Sequence, residues 1–164
     1  VDFAGPYYVA GQDLLVRADE TSITGPDSLN GKNLCSVTGS TSAKKIQDTY
    51  AKNVNLVKQN SYSDCVVALN GGVVDAVTTD IILAGLAATK ANKGKLKLVG
   101  KTFTTEKYGV GLPKGTDKCE AINKAINEMV EDGTWENLVK KHTDGTGYSY
   151  NTEKNPPKPS ASCA

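Results

Sequence analysis

The 164-residue sequence is short of most of what catalysis and nucleic-acid recognition draw on. It has one arginine (Arg17), one histidine (His142), one tryptophan, one methionine and two phenylalanines. A single arginine leaves little capacity for planar, bidentate contacts to phosphate. Nineteen Lys and Arg residues against 18 Asp and Glu leave a net charge of +1, so no strong field draws in nucleic acid or anionic lipid. No apolar run approaches the roughly 20 residues that span a bilayer, and no basic leader precedes an apolar stretch. Nucleophilic catalysis is also unsupported. There is no G-x-S-x-G elbow, Thr38-Gly39-Ser40-Thr41-Ser42 lacks the second glycine, and His142 has no carboxylate at a telling spacing. Gly71-Gly72 is not followed by the lysine of a phosphate loop. No cofactor is expected, and the enzyme class is set aside. What remains, at 38% apolar and 23% charged residues, reads as a soluble globular chain.

Cysteine, by contrast, is present in an even count. Cys35, Cys65, Cys119 and Cys163 include no C-x-x-C pair, and one histidine cannot complete a Cys/His zinc set, so no metal is expected. The four allow three pairings. The preferred one joins neighbours, Cys35 to Cys65 and Cys119 to Cys163, each bridge contributing about 3 to 4 kcal/mol through chain entropy. The second would tie back a loose tail, Asn155-Pro156-Pro157-Lys158-Pro159-Ser160. Four buried thiols in a cytosolic protein is the competing reading; disulfides place the chain in an oxidising, extracytoplasmic compartment.

Apolar periodicity predicts strands over 12–17, 33–38, 54–57, 73–78 and 96–99. Helices are expected after Ser40, over 64–69 and over 80–90, with small-residue junctions between the elements. Such alternation is the mark of an α/β layered lobe over residues 11–99. The run 73–78 is apolar enough for a strand buried on both faces. A second unit follows from 100 to 164, with a strand at Tyr108–Leu112. A helix carries Ala121, Ile122, Ala125, Ile126, Met129 and Val130 as one amphipathic stripe and stops at Gly133, before another with Trp135, Leu138 and Val139. The tail from Thr143 is left irregular. Phe3-Ala4-Gly5-Pro6 reads as turn-rich. One strand and two helices do not close a sheet lobe, so the remainder is expected upstream of Val1, and apolar surface around 108–112 and the 119–131 helix is expected to be exposed.

Two features project to one rim. Gly39-Ser40-Thr41 is a small-residue junction into a helix, offering backbone N–H groups, hydroxyls and the positive end of the helix dipole to an anion. Asp80, just past the strand at 73–78, offers a carboxylate to a cation. Each is equally the pattern of an ordinary helix N-cap. Ligands of open α/β sheets bind outside the carboxyl ends of the strands, and a zwitterion such as an α-amino acid would match both features.

Five segments in order resemble the type 2 periplasmic binding proteins that serve amino-acid ABC importers. They are Val1–Tyr8, Leu29-Asn30-Gly31-Lys32 with Val37–Thr41, Gly72–Asp80, Glu106–Leu112, and Asp132-Gly133-Thr134-Trp135. The details look most like the glutamate-binding lipoproteins of actinobacteria. The resemblance implies that Ser40 and Thr41 hold the ligand α-carboxylate, that Gly39 lets the ligand approach the backbone, and that Asp80 pairs with the α-ammonium. It implies that Thr79 faces the side-chain pocket, and that Gly11 with Gln12, and Gly100 to Thr102, form the two interlobe crossings. A γ-carboxylate would look to Lys44 or Lys45, residues that a solvated helix face also accounts for.

The implied architecture is one nearly complete α/β lobe with a mixed sheet (11–99), preceded by the end of the other lobe (1–10) and followed by its C-terminal part (100–164). About a hundred upstream residues of such proteins, with the arginine that clamps the α-carboxylate, would be absent. That truncation would impair binding and favour a homodimer or a domain swap. The implied partners are an amino acid and an ABC permease, with no nucleic acid. The implied location is the outer face of the membrane, lipid-anchored in the full-length protein and released as this fragment. A sensory module of the same fold is the second function class.

Overall fold

The computed structural model describes residues 1–81, 85–146, 148–160 and 162–163. In chain order its elements are β1 (Asp2–Ala10), β2 (Gln12–Arg17), a 3-10 turn (Pro26–Leu29), β3 (Asn33–Val37), α1 (Thr41–Thr49) and β4 (Asn55–Gln59). They continue with α2 (Tyr62–Asn70), β5 (Ala76–Asp80), α3 (Leu86–Ala91), β6 (Leu96–Leu98), β7 (Glu106–Leu112), α4 (Lys118–Glu131) and α5 (Thr134–Thr143). The chain forms two compact units: a central one, Gly11–Thr104, and a terminal one made of Val1–Ala10 with Thr105–Ala164.

The central unit is a five-stranded mixed sheet in the order β4-β3-β5-β2-β6. The helical crossovers through α1 and α2 make β4, β3 and β5 parallel, whereas β2 runs antiparallel to β5 and β6. Alternation along each strand sends Leu14, Val16, Leu34 and Ala76 to one face, where Ala43 and Ile46 of α1 cover them. Leu15, Cys35, Val77 and Leu96 go to the other, against Cys65 and Leu69 of α2. The Cys35–Cys65 disulfide crosses this second core, with Cα atoms 5.6 Å apart. Arg17, the single arginine, is structural. Its guanidinium donates to the carbonyls of Leu69 and Val74 at 3.1 and 2.7 Å and pairs with Asp75 at 3.7 Å, closing the C-terminal end of α2.

That closure explains a difference from the sequence-based expectation. The strand expected over 73–78 lies at 76–80, because Val73 is exposed, the Val74 carbonyl is held by Arg17, and Asp75 accepts the N–H of Asn33 at 2.8 Å. The chain enters the sheet only at Ala76. Asp80 ends that strand and Ile81, the next residue, is helical; α3 begins at Leu86, and residues 82–84 of the expected helix lie outside the described residues.

In the terminal unit β1 and β7 pair antiparallel from Asp2↔Leu112 to Ala10↔Glu106, with an irregularity between Ala4 and Tyr8. Phe3–Pro6, expected as a turn, therefore lies within a strand, with Phe3 and Ala4 paired to Gly111 and Val110 and the bulge beginning at Gly5. Asn123 of α4 is buried and bridges this bulge to the tail: its Oδ1 accepts the Gly5 N–H at 2.7 Å and its Nδ2 donates to the Ser160 carbonyl at 2.7 Å. The tail has no helix or strand among its described residues but is held along β1. The Ser160 N–H donates to the Gly5 carbonyl at 2.9 Å, and the Asn155 side chain makes two bonds of 2.9 Å to the Val9 backbone. The Cys119–Cys163 disulfide fastens its end to α4. Trp135 stacks on Tyr8 at 5.8 Å between centroids and donates its indole N–H to the Tyr7 carbonyl at 2.7 Å. The apolar exposure expected over 108–112 falls on Val110, while Tyr108 and Leu112 are half-buried. Larger exposures lie at Phe3 and Tyr7 of β1.

Candidate functional site

Sheet register assembles one end of the central unit. Parallel pairing of β3 with β5 sets Leu34 level with Ala76 and Cys35 level with Val77, so Thr38 comes level with Asp80. Antiparallel pairing of β2 with β5 sets Gln12 opposite Asp80 and Asp13 opposite Thr79. The carboxyl ends of β3 and β5 and the first residues of β2 thus share one rim. From β3 the chain turns at Gly39 with φ +84°, a left-handed conformation that favours glycine, and no atom lies within 4 Å of where its Cβ would stand. The loop is open above that point. Ser40 caps α1, its Oγ accepting the Ser42 N–H at 3.2 Å, and Thr41 is exposed in the first turn, where the helix end carries positive partial charge.

Asp80 is half-buried at the end of β5. Alternation places it on the α1 side of the sheet with Ala76 and Thr78, and puts Thr79, which is buried, on the α2 side with Val77. Gly39, Ser40, Thr41 and Asp80 are therefore brought together at one end and on one side; Thr79 shares the end but not the side. Lys44 is elsewhere. Its ammonium donates to Asp48 at 2.7 Å on the solvated face of α1, with 74% of the side chain exposed, and Lys45 is exposed too.

The two segments expected to be crossings are laced together at the same end. The Gln12 N–H donates to Thr104 Oγ1 at 2.8 Å, the Phe103 N–H donates to the Gln12 carbonyl at 3.1 Å, and the Ile81 N–H donates to the Gly11 carbonyl at 3.0 Å. A Cβ on Gly11 would sit 2.7 Å from the Thr104 carbonyl oxygen and 2.8 Å from Thr102 Cβ, so only glycine fits between these segments. Asp13 completes the lacing, a role that sequence reasoning missed. Its buried carboxylate accepts the N–H groups of Leu14 and Gly100, both at 2.7 Å, and that of Lys101. Burial pushes its carboxyl above the ordinary value, and these three N–H groups only partly counter that. The available signal was an acid inside the apolar strand Leu14-Leu15-Val16.

Sequence reasoning also missed a polar layer inside the sheet. Three buried side-chain atoms among the described residues have no hydrogen-bond partner: Gln12 Oε1, Ser36 Oγ and Thr78 Oγ1. Among the same residues no group of three or more His, Cys, Asp or Glu is arranged to hold a metal ion, and no helix is long and apolar enough to cross a membrane.

The sequence pattern of the bacterial extracellular solute-binding proteins, family 3, matches residues 1–145. The chain belongs to that family. It is 43% identical over 150 residues to the glutamate-binding protein GluB of Corynebacterium glutamicum, a match covering 87% of this chain and 50% of that protein. Among solved structures it is similar to an ancestral arginine-binding protein bound to arginine, at 38% identity and a TM-score of 0.72 over 85% of this chain and 62% of the other. It is also similar to the GluR0 ligand-binding core from Nostoc punctiforme in complex with L-glutamate, at 28% identity and a TM-score of 0.75 over 87% and 65%. The fold is that of the type 2 periplasmic binding proteins, with the central unit as a mixed α/β lobe. The chain spans about half the length of the curated relatives it matches.

Proposed function

We propose that the chain is part of an extracytoplasmic receptor that captures an amino acid, glutamate or a close relative, and delivers it to the permease of an ABC importer. The observation that carries this reading is the placement of Asp80 and the first turn of α1 at one rim and on one side of the sheet. A carboxylate there attracts an α-ammonium, while helix N–H groups and the Ser40 and Thr41 hydroxyls attract an α-carboxylate. The two sites together select zwitterions. The backbone around Gly11–Gln12 and Gly100–Thr102 would serve as crossings, while Thr79, on the α2 side of the sheet, would not reach a ligand held between Asp80 and the first turn of α1. The family to which the chain belongs is one of solute-binding proteins, and this reading assigns the chain binding and no chemistry on the ligand. The glutamate-binding relatives support the choice of ligand.

Because the rim supplies one side of a clamp, this span is expected to bind more weakly than a chain extended upstream, and to gain from a second copy. A lipid anchor at the outer membrane face belongs to the same reading of the full-length protein. A sensory module of the same fold is the second reading, favoured by the likeness to the GluR0 core. Dependence of amino-acid uptake on this protein together with a permease would decide between them. The direct test is a thermal-shift and NMR titration with L-glutamate, L-glutamine and L-aspartate, on the native chain and on Asp80→Asn. A ligand at 100 times its Kd adds about 2.7 kcal/mol of stability. Loss of that shift in Asp80→Asn is expected; binding by none of the three, or a shift undiminished by the substitution, would overturn the reading.

A further inference from the structure

The three unpartnered buried atoms are not scattered. Ser36 is level with Thr78 across the parallel pair β3–β5, one step beyond Leu34↔Ala76 and Cys35↔Val77. Leu34 and Ala76 belong to the core under α1, so Ser36 and Thr78, two residues further along each strand, face the same way. Gln12, two residues before Leu14 and opposite Asp80, faces that way as well. Ser36, Thr78 and Gln12 are 2%, 0% and 4% exposed. They form one polar layer between the apolar core and the rim. Of the buried residues of α1, the first two, Ser42 and Ala43, are small, and the first large one is Ile46.

A buried hydroxyl or amide left unpaired is unfavourable, and an unsatisfied group in a folded protein calls for a reason. Three on one face of one sheet, directly beneath a rim with an anion-attracting loop and a carboxylate, share a reason. We propose that Ser36, Thr78 and Gln12 form the floor of the ligand site and set its specificity, hydrogen-bonding the polar end of the ligand's side chain. This rests on the receptor reading and extends it to a ligand class: α-amino acids whose side chain ends in a carboxylate or a carboxamide. Two hydroxyls can donate to either terminus. Lys58 of β4 stands level with Ser36 and is exposed, so a seated carboxylate would have an ammonium on its own side of the sheet. Lys44, tied to Asp48, does not take that part.

The test exploits two readouts that a merely structural role would move together. Ser36→Ala, Thr78→Val and Gln12→Met each remove an unpartnered polar atom while preserving most of the shape. The ligand-free melting temperature should hold or rise, while affinity for L-glutamate or L-glutamine, measured by NMR titration, should fall at least fivefold. L-norvaline, which lacks the polar terminus, should bind the variants as it binds the native chain. Lys58→Gln decides between the termini: a loss confined to L-glutamate assigns a carboxylate, and no selective loss assigns a carboxamide. Unchanged affinity for both polar ligands would overturn the proposal, as would an equal loss for L-norvaline or a melting temperature lower by several degrees. A native chain that binds no amino acid would overturn the receptor reading itself.

Discussion

Replacing Cys35 and Cys65 together by alanine tests how the central unit is held. The bridge spans 30 residues and joins β3 to α2 inside a core where both sulfur-bearing residues are fully buried. For a loop of that length the chain-entropy relation gives about 3.6 kcal/mol. At 2 to 4 °C per kcal/mol for a chain of this size, the melting temperature should fall by about 7 to 14 °C. Cys119–Cys163 closes a longer loop of 44 residues, for which the same relation gives about 4 kcal/mol. Entropy alone would therefore rank the second bridge as the stronger. The structure reverses that order, since Cys163 fastens a tail without helix or strand that can detach locally while the unit stays folded. Removing Cys119 and Cys163 should shift the main transition less and instead raise protease sensitivity around 155–163. Thermal melts by circular dichroism of the two double variants, with limited proteolysis, measure both effects. A larger loss for the Cys119/Cys163 variant, or a Cys35/Cys65 variant within about 2 °C of the native chain, would refute the reasoning.

Two further outcomes follow from the lacing of β2. Gly11→Ala places a Cβ 2.7 Å from a backbone oxygen and 2.8 Å from a threonine Cβ. It should cost about 1 to 3 kcal/mol, seen as a lower melting temperature, with Gly39→Ala as a comparison where strain comes from backbone conformation and not from crowding. Asp13 binds its proton more tightly in the folded chain than in the unfolded one, because burial raises its carboxyl above the ordinary value. Its contribution to stability is therefore fullest below the unfolded carboxylate range, near pH 4, and is lost as pH rises through the raised value. The native chain should gain stability relative to Asp13→Asn as pH falls from 7 towards 4; a pH-independent gap between the two would refute this.

Much of the molecule follows from local sequence. Apolar alternation marks β2, β3 and β6, small-residue junctions mark the start of α1, and a strong apolar stripe marks α4. These features are short-range, so periodicity carries them. The placing of Gly39, Ser40, Thr41 and Asp80 at one rim was legible for a related reason: parallel crossovers bring the carboxyl ends of β3 and β5 to one end whatever lies between. Where β5 begins was not legible. Val73 and Val74 look like strand residues, but Arg17, more than fifty positions earlier, holds the Val74 carbonyl and delays the strand to Ala76. Long-range hydrogen bonds of this kind have no local signature.

The same holds for function. The sequence by itself determined the α/β pattern and suggested the candidate zwitterion rim, since residue type and spacing suffice for each. Only the tertiary structure decided that Asp13 fastens β2 to Gly100, and that Ser36, Thr78 and Gln12 form one buried layer. Each of these depends on which strand lies beside which and in what register. A shift of one residue would exchange the two faces of the sheet and undo every one of them.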